Sequence, residues 1–415
     1  MPASSTRQMG RFAGLAATWC VALASAAAVE QWYDLDPTLY DHGVDYLVYE
    51  DIDLPPETVG LPPIKWDMKD GGYVQFYGHI NGGVLVYDDG TETKNDFPLG
   101  NANSPARVGL RVYRPFDAGA NFGFRFEVGY SPFSSFRANQ LDDEIDWNLN
   151  RDNIRWLEVS YQSTQAGAVS LGQGSMATDG ITLIDFSRTN VIAYASVGDS
   201  AGGQYLRFSD PSLPIDEAPQ IRQSYTALNG PRRVRIRYDT PVVNGFGASA
   251  AYGRQLLTEN SDLRDDDLFD AAVTYGDTLG EFQVGAGAGY FWDRDGREVF
   301  SGSVAVLHPA SGVNVALAGG RQDMTGGASD YVYGKLGYLR NVPGVGDGAV
   351  SIDYYDGDDI FADGSDSRSW GLAYVQFVDR INTEAWLTYR RYDVDAPDQS
   401  FKDGQAFYAG VRFRW

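Results

Sequence analysis

Groups able to make and break bonds are sparse in this 415-residue sequence. Its three histidines, His42, His79 and His308, are widely separated; no H-E-x-x-H motif occurs, and no serine is read as a nucleophile elbow. His79 could act with an acid as the base of a hydrolase, although a polar side chain on a wetted face explains it more simply. The run "DGDDIFADGSD" at Asp356 to Asp366 departs from the spacing of an EF-hand loop and reads as a solvated connection. No catalytic residue, metal site or cofactor is expected. What recurs instead is the guanidinium group at even spacing: Arg107 and Arg111 in "ARVGLRVYRP", Arg125 beside Glu127 in "FGFRFEVGY", Arg235 and Arg237 in "RRVRIRYD". The work open to such groups is electrostatic.

Even spacing requires strands, because successive side chains of a pleated ribbon point to opposite faces. Opposite the arginines lie apolar rows: Val108, Leu110 and Val112; Phe122, Phe124, Phe126 and Val128; Val234, Ile236 and Tyr238. The last strand repeats the pattern, with Phe407, Ala409, Val411, Phe413 and Trp415 against Tyr408, Gly410, Arg412 and Arg414. From Tyr73 onward about sixteen such segments follow, separated by Gly, Pro, Asn and Asp. Short connections such as Asn244-Gly245 alternate with longer acidic ones, and tyrosines cluster near strand ends. Composition agrees, with 48 Gly, 26 Tyr, 21 Phe and 9 Trp. The fold class is all-β. A secreted sandwich or propeller could also be built from such segments, but unequal connections and aromatic strand ends favour a transmembrane antiparallel barrel with short periplasmic turns and long external loops.

The N-terminus carries an address. Arg7 and Arg11 precede an uncharged run from Phe12 to Val29 ending in "ALASAAA", the pattern of a signal peptide at 1–28 with cleavage after Ala26 or Ala28. Cys20, the one cysteine, falls inside it, so disulfides and thiol chemistry are excluded from the mature chain. The net charge of −23 becomes more negative once the two arginines leave, which argues against a nucleic-acid partner. Residues 29–72 are acidic and broken by Pro55, Pro56, Pro62 and Pro63, and read as an irregular extension. Beyond the signal, no stretch approaches the roughly 20 apolar residues of a spanning helix. A membrane location therefore demands a closed barrel, over 73–415, with no unpaired backbone in hydrocarbon.

Several stretches carry a resemblance: "RIRYDTPVVNGFGASAAYG" at Arg235 to Gly253, "NTEAWLTYRRYD" at Asn382 to Asp393, "GAVSLGQ" at Gly167 to Gln173, and the alternating final strand with its aromatic end. Together they resemble the general diffusion porins of Gram-negative outer membranes, over about four fifths of the chain. That resemblance implies a sixteen-stranded barrel, a homotrimer, and a long third loop folded into the pore, for which 175–230 is the candidate. It also implies outer-membrane lipid and lipopolysaccharide as surroundings, and passive diffusion of small hydrophilic solutes and ions. The sequence departs from the family at Gln173, where arginine is common, at Trp415, where phenylalanine is usual, and in lacking an acidic Pro-Glu-Phe-Gly pattern in the third loop.

If the apolar rows meet lipid, then Arg107, Arg111, Arg125, Arg235 and Arg237 line the pore, since a cation on the lipid side costs about 2–4 kcal/mol at mid-depth. The long loop offers Asp179, Asp185, Asp199, Asp210, Asp216 and Glu217 in opposition. Cations on one wall and carboxylates on the other would set a transverse field that orients dipolar solutes. Against this stands a plainly solvated wall and loop without a tuned role. A substrate-selective channel, or a barrel serving as adhesin or enzyme, are the other functions the sequence allows.

Overall fold

The computed structural model describes residues 61–415 apart from 118, 143, 146, 259–263, 265 and 325. The expected signal peptide, and the extension as far as residue 60, lie outside the described residues.

Sixteen antiparallel strands form the wall. They are β1 (Tyr73–Asp88), β2 (Arg107–Asp117), β3 (Ala120–Gly129), β4 (Ile154–Ser163), β5 (Gly167–Ser175), β6 (Arg232–Asp239), β7 (Phe246–Arg254) and β8 (Asp267–Leu279). There follow β9 (Phe282–Asp293), β10 (Glu298–His308), β11 (Val313–Met324), β12 (Gly327–Val342), β13 (Gly346–Asp358), β14 (Asp366–Val378), β15 (Thr383–Ala396) and β16 (Gly404–Arg414). Each pairs with its successor, and β16 returns to β1 from His79↔Arg414 to Asp88↔Gln405. The cylinder is closed, so no strand edge of the ring is left open to lipid.

One end carries tight turns and the other long loops. Asn244 and Gly245, between β6 and β7, both have positive φ, 52° and 80°, as a two-residue hairpin turn requires. At the opposite end the connections 89–106, 130–153 and 176–231 are far longer. Lys335 on β12, Ser351 on β13, Tyr392 on β15 and Ser303 on β10 all hydrogen-bond to the single loop 176–231, which fixes their faces as the interior. Their neighbours Leu336, Ile352 and Phe300 point the other way and are 53, 51 and 61% exposed. The greasy rows thus look outward and the polar rows inward, the reverse of a soluble sandwich. Two aromatic belts bound this outer face: Tyr252, Phe269 and Trp292 stack toward the loop end, Phe246 and Tyr275 toward the turn end. Six residues separate Phe246 from Tyr252, about 20 Å along a strand.

Two features depart from the regular pattern. The strand Ile64–Asp67 pairs with Tyr73–Phe76 of β1, so the last part of the region expected to be irregular is ordered as a hairpin around Gly71 and Gly72. Alternation of Ile64 and Trp66 with Lys65 and Asp67 explains it, although four residues are too few to establish a period. Thr93–Leu99 continues the line of β2 along upper β1, and residues 100–106 then turn inward before β2 begins at Arg107. The second wall strand is therefore broken by an excursion into the lumen.

Candidate channel and constriction

Beside the lumen, β2, β3 and β4 carry a knot of guanidinium groups around one carboxylate. Glu127, fully buried, accepts from Arg125 at 3.0 Å, from Arg155 at 2.6 Å and from the Tyr77 hydroxyl at 2.9 Å, with Arg107 3.9 Å away. Arg155 reaches this group because the register shifts between Glu127 and Val128, a bulge that turns both Arg155 and Trp156 inward. Aromatic faces hold the cations in place: Arg111 lies 4.3 Å from the Tyr77 ring centroid, and Arg125 4.0 Å from that of Trp156.

The five arginines expected to line the pore divide into two sets. Arg107 and Arg111 are half-buried on the wall, with Arg125 tucked behind them. Arg235 and Arg237 also point inward but are 4 and 1% exposed, covered by the root of loop 176–231. Arg235 donates to Glu158 and to the Ser175 carbonyl, and Arg237 to Asp239 and the Met176 carbonyl. They hold the root of the loop rather than face open water.

The six loop acids divide as well. Asp179 accepts from Ser175 at 2.6 Å and Asn229 at 2.9 Å, with Arg232 at 3.4 Å. Asp185 is buried against the Lys335 ammonium, which also donates to Ser187 and Thr189. Asp199 is half-buried and takes the Tyr194 hydroxyl; burial pushes its carboxyl up to about 6, partly offset by that bond. Asp210, Asp216 and Glu217 sit on an exposed outer arm, where Arg207–Phe208 pairs with Lys402 and Phe401 beyond the loop end of β15. Asp210 is held below its ordinary range by the amide and hydroxyl of Ser212. Arg207 fastens this arm to Asp89, at 2.7 Å. Burial alone would raise the Asp89 carboxyl, but the Arg207 bond and the amides of Glu92 and Thr91 bring it below its usual value.

The inner arm of the loop is docked on the wall. Ile181 and Ile184 lie over Gly287 of β9, where a Cβ would come within 2.6 and 2.9 Å of their methyl carbons. Tyr331, Tyr355 and Tyr392, on β12, β13 and β15, hydrogen-bond the loop backbone at Ala227, Thr226 and Val197. From the other side, the excursion of the second strand grips it: Asn101 donates to the Val191 carbonyl at 2.6 Å, and the Tyr194 hydroxyl to the Asn103 carbonyl at 3.3 Å. Arg155, Lys335 and this excursion are the parts sequence reading missed. Only Lys335 left a signal there, a lone cation in the inward register of "YVYGKLGYL".

Among the described residues Ser200 and the histidines do not come together. Gly198 to Gly202 spells Gly-x-Ser-x-Gly, but Ser200 ends a 3-10 turn, is buried, and donates to the Ile192 carbonyl. His79 is bound to the Pro105 carbonyl at 2.9 Å, and His308 to Ser311 at 2.8 Å; His42 lies outside the described residues. Among the described residues no three His, Cys, Asp or Glu side chains converge to hold a metal.

Comparison with known proteins gives the same architecture. The sequence matches the Gram-negative porin family over residues 16–397. Among solved structures, the anion-selective porin from Comamonas acidovorans is similar at 16% identity and TM-score 0.55, over 83% of this chain and all of that one. OmpT of Vibrio cholerae in its trimer form is similar at 14% identity and TM-score 0.51, over 83 and 99%. Salmonella typhi OmpF, in complex with daunomycin, is similar at 13% identity and TM-score 0.50, over 84 and 99%. No curated protein matches the sequence.

Proposed function

This chain belongs to the Gram-negative porin family, an outer-membrane channel for passive diffusion of small solutes, and from that premise we propose how its pore works. Solutes pass between the arginine wall of β2 to β4 and the inner arm of loop 176–231. The wall supplies Arg107 and Arg155, gathered on Glu127, and Arg111, stacked on Tyr77; the loop supplies Asp199. Charges fixed on opposite sides of a narrow aqueous passage align water and dipolar solutes and disfavour apolar ones. Passage needs no bond chemistry, so the chain acts as a channel and not as an enzyme. The observation that carries this reading is the outward row of apolar side chains set against inward arginines on one closed ring.

In the membrane the chain assembles as a homotrimer, as the trimer form of the similar OmpT does. Its outer face meets lipid, with lipopolysaccharide around the long loops, after a leader at 1–28 has been removed. Purified protein reconstituted in planar bilayers should give stepwise, non-saturating conductance, and vesicles containing it should swell in small sugars but not in large ones. Absence of conductance steps from folded protein would overturn the channel reading.

A further inference from the structure

We propose that Asp199 sets the ion preference of the channel according to its protonation, so that the pore favours anions more strongly in acid than in neutral solution. The inference rests on the diffusion-channel reading and names a specificity-determining residue within it.

Three carboxylates lie on the inner arm of loop 176–231, and two are matched by cations: Asp179 by Arg232 and Asp185 by Lys335. Asp199 has no cation within ion-pair distance among the described residues; its carboxylate accepts only the Tyr194 hydroxyl. It is also placed where its charge counts. Its own carbonyl accepts from Ser135 of the second long loop at 2.7 Å, and Tyr194 bridges to Asn103 of the broken second strand. Three loops therefore meet around this residue and its partner Tyr194, and the arginine wall starts at Arg107, close enough to act on Tyr194. An unpaired carboxylate there subtracts directly from the positive potential of the wall, whereas the two paired acids add little to it. Burial moves Asp199 up to about 6, which brings its titration into a range a bacterium's surroundings reach.

The groups facing Asp199 are Tyr194 on its own loop and Tyr392 on β15, and Arg107 at the head of β2 acts on Tyr194. Phenol and guanidinium do not change charge between about pH 4.5 and about pH 7.5. His79, bound to Pro105 at the foot of the same excursion, can do so and must be tested separately.

The experiment is the reversal potential across a planar bilayer under a KCl gradient, at about pH 7.5 and about pH 4.5, on either side of the titration. Wild type should shift toward the chloride potential on acidification, with the permeability ratio changing about twofold for one unit charge near the ion path. Asp199→Asn should show the acid value at both pH values, and His79→Asn should keep the wild-type step. Tyr194→Phe, which removes the bond favouring the ionised form, should keep the step but move its midpoint upward. A wild-type potential indifferent to pH, or a step that survives in Asp199→Asn, overturns the inference. Wild type that folds but never conducts would instead sink the channel reading itself.

Discussion

Arg155 Nε lies 2.6 Å from a carboxylate oxygen of Glu127, across a bulge that places two consecutive residues of β4 on the lumenal side. Because Glu127 is shared among Arg107, Arg125 and Arg155, the knot keeps an excess of positive charge although its one acid is satisfied. Removing one of these charges should be felt by ions passing roughly 8 Å away. A unit charge at that distance in water is worth about 0.5 kcal/mol, or a factor of about two in permeability ratio. Arg155→Gln should therefore shift the reversal potential toward cations by about that factor. Arg235→Gln, under the loop root, should shift it less and should instead loosen the loop. Equal shifts from the two would show that burial does not separate the two sets of arginines.

Much of the wall was legible because alternation is a strict geometric consequence of the pleat. Val350, Ile352 and Tyr354 against Ser351, Asp353 and Tyr355 can be assigned to faces from the sequence alone, and the structure keeps that assignment. Arg155 could not be read that way. It shares parity with Leu157 and Val159, so regular alternation sends it to lipid, and only a one-residue bulge reverses it. The division of the loop acids was hidden for another reason. Asp185 and Asp210 are equally charged on paper, and what separates them is Lys335, 150 residues from Asp185, against a serine two residues from Asp210.

The facing of β13 can be tested through lipid. Ile352 is half-exposed on the outer face at the middle of its strand. Ile352→Lys should cost about 2–4 kcal/mol of stability in lipid vesicles, read from the urea midpoint of unfolding. Gln75→Lys, inward on β1 and partly exposed, should cost far less. Equal penalties at the two positions would mean that the ring has been turned inside out.

Loop docking depends on a missing side chain. At Gly287 a Cβ would meet Ile181 at 2.6 Å and Ile184 at 2.9 Å. Gly287→Val should overpack this contact, at about 1–3 kcal/mol, and push the inner arm toward the arginine wall. Single-channel conductance should fall while the barrel remains folded. Unchanged conductance would place the narrowest point elsewhere.

The outer arm should respond to acid through Asp89. Its carboxyl is held below the ordinary range by Arg207 and two backbone amides, so the ionised form is favoured in the folded state. The sign follows from linkage: this stabilisation is complete above the usual carboxylate range and is lost as pH falls through the lowered value. Amides of residues 89–92 should stay protected from hydrogen exchange at neutral pH and lose protection only as pH falls below the ordinary carboxylate range, through the lowered value. Arg207→Gln should lower protection at neutral pH and flatten the dependence. A wild-type profile that does not change with acid would remove Asp89 as the clasp.

Lys335 offers the sharpest test of how the constricting loop is held. Its ammonium is buried and donates to Asp185, Ser187, Thr189 and the Ala193 carbonyl, so one side chain organises a whole turn of the inner arm. Lys335→Met fills similar volume but strands the Asp185 carboxylate, and breaking a buried pair from one side costs about 3–5 kcal/mol. The loop, not the ring, should bear that cost, because the backbone ladder of β12 to β11 and β13 is untouched. We expect noisy, enlarged conductance and new protease sensitivity within 176–231. Adding Asp185→Leu removes the stranded charge and should restore most of the protease resistance. If the double variant is no better than Lys335→Met alone, the loss lies in packing around β12, and the ammonium does not anchor the loop through its charge.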